Sequence, residues 1–357
     1  MNEMSKLRNK YIYKPITLFK KHKIIPGKPR KNIDFVPIEI CNRCNLQCFS
    51  CGYTGRVNEI KKDMTLEQVK RIISQLPHLK RLELSVVGES LLSDHLPAVI
   101  NYATKKNIKT TINTNGTLFK SKLLPVLEAG LKRLHISIDA ATPRLFEELR
   151  KGAKFNIVKD NIKYAVKLVK EKKFKTIITF NATVSRKNYK EIPKILRLAA
   201  QLGVKEVTVE GIHQWGLNKI NDKISFFRLK REEVIPVVDA AVKIAAKNKI
   251  NLSLPPIDRL GEEDNLKDYL CFWPWDSLTI LANGDVVPCC IGVIPSVIFG
   301  NAFKQSLLKI WKGKKYQEFR ESFMEGRLNE ACSTCQMLLS FGIKRKSLPY
   351  LENKING

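Results

Sequence analysis

The chain has 357 residues, 44% of them hydrophobic and 27% charged, enough to bury a substantial core in one or two domains. No apolar run approaches the ~20 residues that cross a bilayer, and the Lys-rich start lacks the apolar centre of a secretion signal. A formal charge of +29 points to an anionic partner (nucleic acid, a membrane surface or a phosphorylated substrate) or to a solvated Lys-rich exterior, and the spread of 63 basic residues along the chain favours the exterior.

Residues 1–34 read as a basic arm. Lys6, Arg8, Lys10, Lys14, Lys20, Lys21, Lys23, Lys28, Arg30 and Lys31 stand against Glu3, with Tyr11, Tyr13, Ile16, Leu18 and Phe19 interleaved. Such a segment suits an acidic membrane surface or the outside of the next domain. From residue 35 to about 210, β-branched runs alternate with amphipathic ones. Predicted strands are Phe35–Ile40, Arg81–Val87, Lys109–Asn113, Arg133–Ile138, Lys175–Val184 and Glu206–Glu210. Helical patterns lie between them, over Thr65–Leu76, Leu96–Lys106, Lys120–Ala129, Asn156–Glu171 and Tyr189–Leu202. Repeated βα units predict a parallel sheet, open or closed into a barrel. Six units fall short of the eight of a complete TIM barrel.

The strands also alternate in polarity. Leu134, Ile136 and Ile138 share one face, and His135, Ser137 and Asp139 the other; Glu83 and Ser85 oppose Leu82, Leu84 and Val86. Asn181 pairs with Thr183 in the same way, Glu206 with Thr208 and Glu210, and Glu39 lies across from Ile38 and Ile40. Strands buried on both faces read as nearly continuous apolar runs, so half-polar strands predict a wet, ligand-holding lumen bearing Glu39, Glu83, Asp139 and Glu210. After Gly211 the βα rhythm stops. A long connection containing His213, Gln214 and Trp215 precedes a helix at Arg231–Ala246, and Leu252–Asp264 reads as a linker. The expected organisation is the arm at 1–34, a core at 35–230, a bridging helix and linker at 231–265, a small α+β domain at 266–340 and a tail at 341–357.

Cysteine carries the chemistry. Nine cysteines, clustered in a chain without a secretion signal, favour metal ligation over disulfides and a reducing cytoplasm. Cys44, Cys48 and Cys51 follow the first strand in the run Cys-Asn-Leu-Gln-Cys-Phe-Ser-Cys. A four-iron cluster normally takes four thiolates. Three in a tight loop leave one iron open to a small chelating ligand, and open metal positions are where chemistry occurs. A second set, Cys271, Cys289, Cys332 and Cys335, suits either a fully ligated iron–sulfur cluster or a four-thiolate zinc site, with Cys290 to spare.

The Cys-x3-Cys-x2-Cys loop after a strand resembles that of the radical S-adenosylmethionine (radical SAM) enzymes, and the resemblance runs from about residue 35 to 340. It implies a partial (β/α)6 TIM-like barrel. Cys44, Cys48 and Cys51 would hold a [4Fe–4S] cluster whose fourth iron chelates S-adenosylmethionine; Cys41 falls outside the pattern. Ser85-Val-Val-Gly-Glu-Ser is similar to the family's Gly-Gly-Glu-Pro motif, departing from it at Val87 and Ser90, and implies that Glu89 and the backbone near Gly88 hold the cofactor's ammonium. By the same resemblance Asn115 of Thr-Asn-Gly, with Ser137 and Asp139, reaches ribose and methionine, and Arg150 contacts a carboxylate. The later cysteines resemble a SPASM/twitch extension and imply one auxiliary [4Fe–4S] cluster.

The implied reaction is reductive cleavage of S-adenosylmethionine to a 5′-deoxyadenosyl radical, which takes hydrogen from an unactivated C–H bond. The electron would come from a donor such as flavodoxin or ferredoxin. Glu83, Glu210 and His213 are candidate bases. The first reading is a net two-electron oxidation of a sugar or aminocyclitol, with the auxiliary cluster as electron acceptor. The second is a peptide or protein maturase forming crosslinks, epimers or formylglycine. The third, a non-catalytic basic metalloprotein on nucleic acid or membrane, leaves Glu89, Asn115, Ser137 and Asp139 unexplained; nucleic acid is the least favoured partner.

Overall fold

The computed structural model describes residues 3–12, 24, 26–51, 60–212, 224–289, 297–335 and 337–348. Helix α1 (Glu3–Tyr11) precedes a seven-stranded sheet whose strands lie side by side in chain order, all parallel. They are β1 (Phe35–Pro37), β2 (Arg81–Glu83), β3 (Lys109–Thr114), β4 (Arg133–Ser137), β5 (Ile177–Val184), β6 (Glu206–Gly211) and β7 (Asn251–Ser253). The connecting helices are α2 (Leu66–Ser74), α3 (Leu96–Lys105), α4 (Phe119–Glu128), α5 (Pro143–Leu149), α6 (Phe155–Glu171), α7 (Ile192–Leu202) and α8 (Arg231–Asn248). Each helix lays an apolar stripe on the sheet, as α2 does through Val69, Ile72 and Ile73. A reciprocal capping box between Thr65 and Gln68 starts α2.

The α/β barrel expected from the sequence is present, with one strand more. The βα rhythm does not stop at Gly211: α8 packs on α7 and delivers β7, which pairs with β6 in parallel from Glu206–Asn251 to Thr208–Ser253. The linker reading of 252–264 therefore misses a short strand at its start. Three residues, then Leu254 and two prolines, leave little periodicity to read.

Both edges of this open sheet are covered. Beside β7, Leu254 forms a parallel bridge with Ile12 and donates its amide to Tyr11 O at 2.9 Å. The described part of the basic arm is thus packed on the barrel, with α1 against α8 and Arg8 paired to Asp239 at 3.2 Å. Beside β1, Ile38 bridges Ile280. Exposed strand edges invite foreign pairing, so these two contacts also close the domain.

Ile280 belongs to the C-terminal unit. There β9 (Thr279–Ile280), β10 (Asp285–Val287) and β11 (Gly300–Asn301) form an antiparallel sheet, and β8 (Tyr269–Leu270) pairs with β12 (Ile343–Lys344). Helices α9 (Leu307–Trp311) and α10 (Lys314–Met324) follow β11. Glu39 joins this junction rather than the lumen. Its amide donates to Ile280 O at 2.8 Å and its carboxylate accepts from Ala282 N at 3.1 Å, so the fully buried side chain ties the first strand to the second unit.

Arg320 anchors that unit. Its guanidinium lies 4.1 Å from the Trp311 and Tyr316 ring centroids and donates to Pro274 O at 2.7 Å and Trp311 O at 2.8 Å. Burial lowers its pKa to about 10, leaving it charged at neutral pH. Arg320→Ala should cost on the order of 3 kcal/mol, from two charge-assisted hydrogen bonds and two ring contacts. Arg320→Lys should recover only part of this, because an ammonium cannot serve both carbonyls while stacked. Denaturant unfolding of the three proteins checks the order.

Candidate active site

The loop after β1 is held on all sides by its own backbone and by polar braces. Asn42 Nδ2 donates to Ile60 O at 2.9 Å and its Oδ1 accepts from Lys62 N at 2.6 Å. Arg43 binds Asp63 in a fork, at 3.1 and 2.6 Å, and reaches Leu92 O at 3.0 Å. Gln47 N and Phe49 N donate to Lys151 O and Leu149 O, at 2.9 and 2.8 Å. Cys44, Cys48 and Cys51 all line one cavity of about 240 Å³ at the C-terminal ends of the strands, the end at which barrel enzymes build active sites. Cys41 is buried outside that wall, and burial pushes its thiol up to about 12.

Glu89 joins this loop to β3. Its own amide donates to Arg43 O at 2.7 Å, while its carboxylate accepts from Leu91 N at 3.2 Å, Thr114 Oγ1 at 2.8 Å and Asn115 N at 2.8 Å. Of about four lone-pair positions on a carboxylate, three are taken by the chain, so a ligand ammonium can use only what remains. Gly88 packs against the loop itself. A Cβ there would overlap the Cys41 carbonyl oxygen and sit 2.8 Å from Arg43 O, so no other residue fits this approach.

Asn115 clamps the same loop from β3. Its Nδ2 donates to Asn45 Oδ1 at 2.8 Å, its Oδ1 accepts from Thr117 N at 2.9 Å, and Asn45 Nδ2 returns to Thr117 Oγ1 at 2.9 Å. Gly116 supplies the left-handed backbone (φ 76°) of that turn. Ser137 and Asp139 face the cavity from the end of β4. Asp139 pairs with Arg150 at 2.8 Å and accepts from Thr183 N at 2.9 Å. Arg150 keeps a buried Nε without a hydrogen-bond partner among the described residues. An orphaned donor in a cavity wall is the mark of a group that a ligand satisfies.

The lumen is lined by polar, part-exposed residues, as the strand alternation predicts. Along β4 and β6 the outward residues are buried and the inward ones part-exposed. Glu83 accepts from Asn113 Nδ2 at 2.7 Å; burial, reinforced by the charge of nearby Glu210, lifts it to about 7. Burial raises Glu210 as well, and holds His135 down to about 4. Arg133 is committed to Glu206. Two of the three candidate bases therefore share the lumen; the third, His213, lies outside the described residues.

The second cysteine set also converges. Cys271, Cys289, Cys332 and Cys335 line one small apolar cavity together with Trp273, Phe319 and Phe323. Burial and each other's charge push Cys271 and Cys332 far up, and Cys335 rises to about 12. Cys44 and Cys48 are raised by burial too, Cys48 to about 12. Buried thiols of this kind ionise only where a metal takes the proton's place. Both donor sets fit iron–sulfur clusters: three thiols beside a polar cavity, four in an apolar one. Among the described residues no cysteine is in a disulfide, and no three His, Cys, Asp or Glu side chains form a single-ion site. Cys290 lies outside the described residues.

The radical SAM superfamily model matches residues 38–199, and that of SPASM, an iron–sulfur cluster-binding domain, matches 271–336. The chain carries a radical SAM domain followed by a SPASM domain. As a radical SAM protein with a SPASM domain it uses a [4Fe–4S] cluster, S-adenosylmethionine and auxiliary iron–sulfur. It is 24% identical over 325 residues to a tungsten-containing aldehyde ferredoxin oxidoreductase cofactor-modifying protein of Pyrococcus furiosus, covering 85% of this chain and 87% of that one. It is 22% identical to a PqqA peptide cyclase of Granulibacter bethesdensis, over 83% of this chain and 78% of the other. The fold matches that of Streptococcus suis SuiB bound to precursor peptide SuiA with a TM-score of 0.64 at 17% identity, over 91% of this chain and 73% of SuiB.

Several braces of this radical SAM site escaped the sequence. Asn45, Thr114, Thr117 and Asn188 act through hydrogen bonds between distant parts of the chain that spacing does not encode; Asn188 Nδ2 donates to Asp139 O at 2.7 Å. Asn161 did leave a signal, as a polar residue on the buried stripe of α6, and it donates to Gly116 O at 2.8 Å. Glu83 gives a test of how strongly burial acts in the lumen. Its folded pKa of about 7 exceeds the ordinary 4.5, so the folded protein retains a proton that the unfolded chain releases. Its contribution to stability is full below pH 4.5 and is lost as pH rises through about 7. Denaturant unfolding at about pH 5 and pH 8 should show a larger stability drop in the wild type than in Glu83→Gln.

Proposed function

We propose that the protein is a peptide-modifying radical SAM enzyme, with Cys44, Cys48 and Cys51 on the catalytic cluster and Cys271, Cys289, Cys332 and Cys335 on an auxiliary one. The observation that carries the proposal is the single cavity shared by the three loop thiols, Glu89, Asn115, Asp139 and Arg150. Bound and reduced, the cluster and S-adenosylmethionine supply a 5′-deoxyadenosyl radical able to abstract hydrogen from an unactivated carbon. The chain's residues do the remaining work. Glu89 and Gly88 lock the cysteine loop against β3, Asn115 fixes its far side through Asn45, and the Arg150–Asp139 pair presents a donor and an acceptor to polar parts of the cofactor. Glu83, poised near neutrality, is a proton acceptor for the lumen.

Similarity to the PqqA peptide cyclase, and a fold shared along most of the chain with a peptide-binding enzyme, support a peptide substrate over a sugar or aminocyclitol. Dehydrogenation of a small polar molecule is the second reading, favoured by Glu83, since oxidation of an alcohol or amine must also release a proton. The electron donor in either case is a low-potential protein such as a flavodoxin or ferredoxin. No helix among the described residues is long and apolar enough to cross a membrane; we place the enzyme in the cytoplasm, where its thiols stay reduced.

After anaerobic reconstitution we expect roughly eight irons per chain, as two cubes, and 5′-deoxyadenosine on reduction with S-adenosylmethionine. Replacing Cys44, Cys48 and Cys51 by Ala should abolish that product. With deuterated candidates, deuterium should appear in 5′-deoxyadenosine from a peptide. Transfer from a cyclitol alone would overturn the peptide reading, and product surviving the triple replacement would overturn the cluster assignment.

A further inference from the structure

Glu210 occupies a position that the proposed reaction leaves unexplained. It lies near the end of β6, opposite Thr183 of β5, and lines two cavities at once. One is the 240 Å³ cavity of the loop thiols; the other holds about 120 Å³ and is walled by Leu254, Pro255, Pro256 and Phe341, with Ser253 and Ser340 at its sides. The carboxylate is part-exposed to these cavities, and among the described residues it has neither a hydrogen-bond donor nor a cation. Burial raises its pKa.

The surroundings sharpen the deficit. Glu83 faces the same lumen and feels Glu210 as a like charge; among the described residues its hydrogen-bond partner is the Asn113 amide. The arginines within reach are committed elsewhere, Arg150 to Asp139 and Arg133 to Glu206. His135 is held neutral by burial at physiological pH. Among the described residues, then, neither Glu83 nor Glu210 has a close ion-pair partner, in a chain whose net charge is +29. Buried carboxylates are retained where something pairs with them. A proton would satisfy Glu210 without explaining why an apolar cavity opens beside it.

We infer that Glu210, backed by Glu83, is the recognition site for a cationic side chain of the substrate, an ammonium or guanidinium, whose alkyl stem lies along Leu254, Pro255, Pro256 and Phe341. Apolar walls ending in a carboxylate match a Lys- or Arg-type side chain, which carries its charge at the tip of an apolar stem. The contact is charge-assisted and sheltered from water, which strengthens it. Because Glu210 also borders the thiol cavity, a side chain held there lies next to the place where S-adenosylmethionine reacts. This rests on the peptide reading above and narrows it to a peptide with a basic residue at or beside the modified position.

The test needs no catalysis. Nα-acetyl-lysine methylamide and its neutral isostere Nα-acetyl-norleucine methylamide are titrated into the reconstituted full-length enzyme by calorimetry. The lysine probe should bind at least about tenfold more tightly, the size of one good charge-assisted contact. Glu210→Gln should erase that preference while leaving the norleucine probe's weak binding unchanged. Equal binding of both probes, no binding of the lysine probe, or a preference that survives Glu210→Gln would each overturn the inference. If Glu210→Gln does not fold, the wild-type comparison decides by itself. Deuterium transfer, measured separately, keeps the two proposals apart: the lysine preference can hold while a peptide fails as hydrogen donor, and the reverse.

Discussion

The carboxylate of Glu89 is the fixed point of the structure. It gathers Leu91 N, Thr114 Oγ1 and Asn115 N, while the adjoining backbone binds Arg43 O and Gly88 presses against the Cys41 and Arg43 carbonyls. Three otherwise separate pieces, the cysteine loop after β1, the turn after β2 and the end of β3, are thereby held in one geometry. Burial opposes the charge on Glu89 and still raises its pKa, and the three donors offset part of that opposition. A half-satisfied network at this depth would be worse than none. The neighbouring Asn45–Asn115–Thr117 ring extends it to the far side of the loop.

Around this point the barrel is organised to stay open. Its inward residues are Glu83, Asn113, His135, Ser137, Asn181, Thr183, Thr208 and Glu210 rather than the branched apolar side chains that fill a closed barrel. Stability must come from elsewhere. It comes from the outer layer, where helix stripes bury the alternate strand positions, and from the two covered edges, Ile12 beside β7 and Ile280 beside β1. The second edge contact has a functional side. Because the C-terminal unit is hydrogen-bonded to β1 through Ile280, Ala282 and Glu39, the four-cysteine site is mechanically continuous with the strand that launches the three-cysteine loop.

What could be read from the sequence followed from periodicity and from chemistry tied to spacing. Alternation of period two exposed the polar lumen, and the seven ligand candidates stand out because cysteines in short loops have few other uses. Glu39 misled for a physical reason. Its position on the alternating face is that of a lumen residue, but β1 is an edge strand, and an edge residue can be claimed by a neighbouring domain. The seventh strand was hidden because three residues, then Leu254 and a Pro-Pro pair, carry no usable period, and because its place is set by α8 packing on α7, a tertiary fact. The braces Asn45, Thr117 and Asn188 act through one-to-one hydrogen bonds across the chain, which no local pattern announces.

The central claim is that three thiols from one loop hold a cluster with a vacant corner that S-adenosylmethionine fills. Electron paramagnetic resonance of the reduced, anaerobically reconstituted protein, before and after adding S-adenosylmethionine, tests this most directly. The account predicts that the cofactor shifts the signal of one cluster and leaves the auxiliary signal unchanged. It also predicts that the shifting component is missing when Cys44, Cys48 and Cys51 are replaced by Ala. A spectrum indifferent to the cofactor, or a shift that persists without those three thiols, would contradict it.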